Sequence, residues 1–257
     1  MLSDSPIVRT HHSCRKTGVL LGNVVHDAMK MKKWGKMESD PTARMKIVFF
    51  LIPVVLLLCT RLGIELSVLL FPVRYAWILA FVVYYLFIAL SMLYARKKLR
   101  VNMSFGLRSL RPVPAPRYLI WGIIVPALLP LGIFVLNIRA VPPAFMIYIV
   151  LFALVNPFFE ETFWRGLLHH MPTNNTIKIL YSSALFGFSH YFLLGSYWLT
   201  DPRMWIPTVV STFLMGVFWM WFYVKQRNLL YPVISHFFVD VFNLSVAVFY
   251  GLKLVTI

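Results

Sequence analysis

Apolar runs about as long as a bilayer crossing, separated by short polar segments, set the pattern of the 257-residue chain. A helix needs roughly 20 apolar residues to cross the hydrocarbon layer. Seven runs meet that measure: 47–70, 75–95, 118–138, 142–168, 177–198, 205–224 and 230–252. The pattern predicts an all-α, polytopic integral membrane bundle of about seven transmembrane helices. The first run is the least regular, because the clean stretch from Ile47 to Thr60 is followed by Arg61 and Glu65. It reads either as one tilted helix or as a short span with an interfacial piece. Residues 1–46 are polar and basic, and their longest apolar stretch, Val19 to Leu21, is too short for the core of a signal peptide. They are expected to form a mobile cytoplasmic segment ahead of a transmembrane domain spanning 47–257. No internal repeat or low-complexity tract interrupts that domain.

Composition agrees with the pattern and narrows it. Hydrophobic residues make up 60% of the chain and charged ones 13%, against roughly a quarter in soluble proteins. A disordered chain is excluded, and a soluble core has no room for this much apolar surface. Two cysteines, Cys14 and Cys59, form no ligand spacing and no disulfide framework.

The net charge of +16 suggests nucleic acid until the charges are placed along the chain. Four of the nine acids lie in residues 1–46, and three of the other five, Glu160, Glu161 and Asp240, sit inside apolar runs. With the N-terminus in the cytoplasm, 19 lysines and arginines fall on the cytoplasmic side: nine in residues 1–46, seven in 96–117, and Lys178, Lys225 and Arg227. The opposite side holds five: Arg61, Arg74, Arg139, Arg203 and Lys253. That asymmetry predicts N-in, C-out topology by the positive-inside rule. The excess charge therefore speaks to orientation and anionic membrane lipid, with no nucleic-acid partner expected.

Ionisable side chains inside a span each cost about 2.5–3.5 kcal/mol on insertion scales, so they persist where they pair or perform chemistry. The fourth run ends Asn156-Pro157-Phe158-Phe159-Glu160-Glu161-Thr162-Phe163-Trp164-Arg165, the fifth carries Phe186-Gly187-Phe188-Ser189-His190, and the seventh Ser235-His236-Phe237-Phe238-Val239-Asp240. Glu161 and Arg165 are spaced i, i+4 with the acid first, the favoured ion-pair order. Glu160 is turned about 100° away and faces a different neighbour, free to take a proton from water. His236 and Asp240 share a helix face, where Asp240 can orient the imidazole or a substrate. Pro157 removes a backbone hydrogen bond just before the acids and is expected to open space near them. Each feature also has a plainer reading: an ion pair that joins helices, or a buried imidazole that caps a carbonyl. His169 and His170 lie at a span end and read as a solvated interfacial pair.

Taken in order on three separate runs, Glu160-Glu161-x-x-x-Arg165, Phe186-x-x-x-His190 and His236-x-x-x-Asp240 resemble the three motifs of the CPBP family. These are the CAAX prenyl endopeptidases of the Ras-converting type and bacterial relatives tied to bacteriocin processing and immunity. The resemblance covers about residues 140–250. It implies an intramembrane endopeptidase with a cavity between its C-terminal helices that opens to the cytosol. By that analogy Glu160 and His190 activate water, His236 and Asp240 bind the oxyanion, and Glu161 and Arg165 hold the site together. Many members carry Asn where this chain has Asp240, and an ionised Asp donates no hydrogen bond. The resemblance leans to a site without a cofactor. Glu160, His190 and His236 would also serve zinc with an open fourth position, although no His-Glu-x-x-His helix is present. The implied partners are membrane lipids and a peptide or protein substrate, either lipid-modified or bacteriocin-like. Two rival readings stand beside it: a proton-coupled or ion transporter, and a non-catalytic immunity or scaffold protein. Depth raises one difficulty. Along ideal helices Glu160 lies about 12 Å from the end of its span and His190 about 20 Å from the start of its own. The two meet only if the fifth helix begins outside the lipid or the fourth extends past it.

Overall fold

A computed structural model describes residues 41–101, 120–194, 197–198 and 202–249. The expected mobile segment lies outside the described residues up to position 40, as do most of the 96–117 loop and positions 250–257. The chain divides into Met1–Arg44 and Met45–Ile257, and the architecture below is that of the second unit.

Eight α-helices carry the fold among the described residues, with no strand. They are α1 (Pro41–Leu70), α2 (Val73–Lys98), α3 (Val125–Asn137), α4 (Pro143–Glu161), α5 (Asn175–Leu194), α6 (Pro202–Gln226), α7 (Leu230–Phe242) and α8 (Ser245–Phe249). A π-helical turn, Ile120–Ile124, leads into α3, and α4 continues through a π-helical turn, Thr162–Leu167, and a 3-10 turn, Leu168–His170. Four stretches are long and apolar enough to cross a membrane: Ala43–Leu70, Val73–Lys98, Pro143–His170 and Trp205–Gln226. Ile120–Leu128 and Pro130–Ala140, bent by 46° between them, make a fifth if taken together. Leu58, Leu62, Leu69, Leu151, Leu154, Ile206 and Leu214 are all more than half exposed, an apolar surface that only lipid solvates at little cost.

One open reading is decided here and one expectation changes. The irregular first run is a single helix that passes straight through Arg61 and Glu65, whose side chains pair one turn apart. The seventh run, read as 230–252, is broken at Asn243 and Leu244, where Leu244 takes φ 53°. That left-handed residue ends α7 after 13 residues, about 20 Å against a hydrocarbon layer of about 30 Å. Non-helical backbone at such depth is tolerated where protein covers it, and Leu244, Val246 and Ala247 are fully buried. The seven full spans expected are thus four or five among the described residues, with α7–α8 a broken element and α5 diluted by Lys178, Ser182, Ser183, Ser189 and His190.

Polar contacts at the two ends of the bundle set helix direction. Tyr181 near the start of α5 donates to the Phe50 carbonyl early in α1 at 2.5 Å. At the far ends Tyr197 hydrogen-bonds Glu65, and Trp198 Nε1 donates to the Val73 carbonyl at 3.2 Å. α1 and α5 therefore run parallel. Small residues let α5 and α6 touch: a Cβ at Gly187 would stand 2.9 Å from the Val209 carbonyl oxygen, and one at Gly216 would stand 3.1 Å from Ser183 Cα. Trp77 stacked on Phe249 at 5.1 Å and Phe81 edge-on to Phe152 at 5.0 Å bind α2, α4 and α8 into one aromatic cluster.

Candidate active site

The two acids stand at the end of α4, just before the backbone widens into the π-helical turn Thr162–Leu167. Such single turns often occur where a helix must re-aim side chains. Thr162 holds the junction: its Oγ1 donates to the Phe158 and Phe159 carbonyls at 2.7 and 3.0 Å. Pro157 leaves α4 unbroken, and the change of helix geometry comes five residues later instead. Glu160, Glu161 and His236 are 1%, 0% and 2% exposed, so each charge must be met by protein groups.

Glu161 is fully committed on one oxygen. Its Oε1 lies 3.0 Å from Arg165 Nη1 and 2.8 Å from His236 Nδ1. A carboxylate accepts only, so Nδ1 carries the proton of that bond and His236 turns Nε2 toward the other acid. The Arg165 pair has ion-pair distance but poor hydrogen-bond angles. Its guanidinium is held instead by ring faces, 4.3 Å from Phe186 and 5.1 Å from Trp219. Trp219 also stacks on His236 at 4.7 Å while its Nε1 donates to Ser235 at 3.0 Å, which locks the imidazole plane.

Glu160 has different neighbours. Tyr84 on α2 donates to Oε1 at 2.9 Å and receives Trp164 Nε1 at 3.1 Å. Asn156, one turn earlier on α4, donates through Nδ2 to Glu160 Oε2 at 3.3 Å and to Asp240 Oδ2 at 3.0 Å. Tyr85 donates to Asn156 Oδ1 at 3.0 Å. His236 Nε2 faces both acids, 3.5 Å from Glu160 Oε2 and 3.6 Å from Asp240 Oδ1. A carboxylate offers about four acceptor sites, so Glu160 retains capacity for a water molecule after these contacts.

The structure therefore brings Glu160, Glu161, Arg165, His236 and Asp240 together. His190 stands beside them through Phe186, its Nδ1 donating to the Phe186 carbonyl at 2.9 Å. Phe186 touches both imidazoles, at 4.7 Å from His190 and 6.0 Å from His236. The helix ends lie close to the expected ones, and both helices extend past them. α5 begins at Asn175, two residues before the predicted start, and helical backbone continues from α4 to His170, two residues past the predicted end. Ser182 on α5 donates to the Trp164 carbonyl at 2.7 Å and registers the two helices.

One expectation is corrected. His169 is not a solvated interfacial residue; it is buried with its ring edge-on to Tyr223 at 5.4 Å, while His170 is exposed. The helical continuation past Glu161 carries His169 inward. For zinc, no three His, Cys, Asp or Glu side chains among the described residues are grouped to hold a metal ion.

Sequence reasoning passed over Tyr84, Tyr85, Trp219 and the role of Asn156. Two adjacent tyrosines and an asparagine inside apolar runs were the available signals, since hydroxyl and amide groups in hydrocarbon need partners.

Glu160, Glu161, His236 and Asp240 form a buried polar cluster on two helices of an apolar bundle, with the half-buried His190 on a third. Residues 142–242 match the family model described as type II CAAX prenyl endopeptidase Rce1-like. All three motifs lie within that stretch, and over it the resemblance to the CPBP family is shown. No curated protein and no solved structure matches the chain. With the long apolar helices, the match over residues 142–242 supports an integral membrane protein that is similar over that stretch to a membrane-protease family. Neither the transporter reading nor the non-catalytic reading gains support.

Proposed function

We propose that the protein is an intramembrane endopeptidase that hydrolyses a peptide bond with water activated by Glu160 and His190. The observation that carries this reading is the division of labour between adjacent acids: Glu161 is tied to Arg165 and His236, while Glu160 faces His236 Nε2 with acceptor capacity left. Glu160 takes a proton from water, whose oxygen bonds to the scissile carbonyl carbon as the π pair moves to the carbonyl oxygen. His190 orients that water through Nε2, a lone pair because Nδ1 is the protonated nitrogen. His236, carrying a proton on Nε2 as well, donates to the oxyanion while Glu161 holds Nδ1. The C–N bond then breaks, and Glu160 returns its proton to the leaving amine. The substrate is a membrane-associated peptide, lipid-modified or bacteriocin-like, that enters through a cytosol-facing cavity between the C-terminal helices. Of the four catalytic candidates only His190 is not buried, which supports entry from its side.

Purified protein in liposomes, given fluorogenic C-terminal peptides with and without a farnesyl group, should release one defined pair of products. The activity should survive strong zinc chelation. No cleavage of any peptide would overturn the reading, and activity lost on chelation and restored by zinc would overturn its metal-free form.

We also propose N-in topology for the whole chain, on the charge asymmetry. Lys178 near the start of α5 and Arg227 just past the end of α6 lie at the same end of this antiparallel pair, opposite the end where Tyr197 meets Glu65, which supports placing both on the cytoplasmic side. In a cysteine-free background, Arg139→Cys should react with an impermeant maleimide in intact cells and Lys225→Cys should not. The reverse pattern would invert the orientation.

A further inference from the structure

We propose that Asn156 is a catalytic residue of this site: its side-chain amide is the second oxyanion donor beside His236, and Asp240 is the acceptor that holds that amide in place. The inference rests on the peptidase reading above. An oxyanion is held best by two N–H donors aimed at it in a dry site. The motif side chains supply only one. His190 spends Nδ1–H on the Phe186 carbonyl, Arg165 is held between ring faces beside Glu161, and an ionised Asp240 has no proton to donate.

The missing donor is present on α4. Asn156 Nδ2 faces Glu160 Oε2 and Asp240 Oδ2, both of which only accept when ionised, so the amide nitrogen must be the atom turned toward them. Tyr85 donates to Oδ1 from the other side and prevents the amide from flipping. The two N–H bonds are unequal: 3.0 Å to Asp240 and 3.3 Å to Glu160. The longer one is the one the reaction frees. Once Glu160 takes the proton from water its charge is gone, and a neutral carboxyl holds an N–H more weakly than a carboxylate does. At that moment negative charge appears on the substrate oxygen. Glu160 Oε2 lies 3.3 Å from Asn156 Nδ2 and 3.5 Å from His236 Nε2, so both donors stand beside the oxygen that takes the proton, next to which the reacting carbonyl must sit. Asp240 keeps the other N–H throughout, which stops the amide from following Glu160. When the C–N bond breaks and Glu160 gives its proton to the amine, the carboxylate reclaims its hydrogen bond.

The test is steady-state kinetics on the farnesylated fluorogenic peptide, with melting measured beside it. Asn156→Ala should lower kcat by about 10²- to 10³-fold with KM changed less than threefold, the signature of a donor used only in the transition state. Asn156→Asp should be at least as impaired. Exchanging the pair, Asn156→Asp with Asp240→Asn, returns an amide to the same pair of positions and should recover at least tenfold over Asn156→Asp alone. A fall in kcat below tenfold for Asn156→Ala, or no recovery in the exchanged protein while its melting is near that of the unaltered protein, would overturn the assignment. If Asn156→Ala does not fold, the exchange decides alone. Absence of turnover in the unaltered protein removes the peptidase reading and this inference together. Turnover in the unaltered protein with a kcat within tenfold of it in Asn156→Ala removes only the inference.

Discussion

Glu160→Gln should abolish nearly all turnover while leaving the melting temperature in detergent close to that of the unaltered protein. General-base assistance alone is worth about 10²- to 10⁴-fold, and an amide cannot take the proton. The fold should tolerate the change because the neighbours of Glu160 are neutral donors and an imidazole shared with two other acids. Tyr84 and Asn156 hydrogen-bond it, and His236 keeps Glu161 at 2.8 Å. The Gln amide oxygen still accepts from Tyr84 at the place of Oε1, and its nitrogen at the place of Oε2 gives up only the longer, 3.3 Å contact with Asn156. Normal turnover in this variant would end the assignment of Glu160 as the base; a large loss of melting temperature would mean that its role in the bundle is structural.

The neighbouring acid should behave in the opposite way. Glu161→Gln removes the charge that meets both Arg165 and His236 through one oxygen, and both partners are buried beyond the reach of water. Leaving one member of a buried pair charged and alone costs on the order of 3 to 5 kcal/mol, so the variant should melt well below the unaltered protein. Activity should fall too, because His236 loses the acceptor that sets its ring. A second change separates the causes. Glu161→Gln with Arg165→Met removes both charges and keeps the volume, and should regain part of the lost stability but not the activity. A stable, active Glu161→Gln protein would remove the ion-pair argument altogether.

The chemistry-bearing residues were legible because ionisable groups stand out in hydrocarbon runs, and helical spacing alone placed Arg165 over Glu161 and His236 over Asp240. What the spacing could not give was any contact between helices. Tyr84 and Glu160 are 76 positions apart, and no periodicity relates them. The end of α7 was hidden for a different reason. Asn243 and Leu244 lie in a run that stays apolar to its end, and a left-handed stop at a leucine leaves no mark in hydropathy. His169 was misplaced because a span was assumed to meet the interface where its apolar run ends, whereas its backbone continues inward as a π-helical and then a 3-10 turn.

The tyrosines of α2 carry a consequence for what counts as the smallest working piece of this protein. The stretch that matches the family begins at residue 142, yet the donors on Glu160 Oε1 and Asn156 Oδ1 come from Tyr84 and Tyr85. Trp77 and Phe81, on the same helix, cover Phe152 of α4 and Phe249 of α8. A fragment cut at the family boundary would keep every motif and lose the hydroxyls that aim two of its side chains. The heritable signature and the machine it belongs to are therefore of different lengths. Transplanting the motif-bearing helices into another scaffold would carry the letters of the site without the groups that hold them in register.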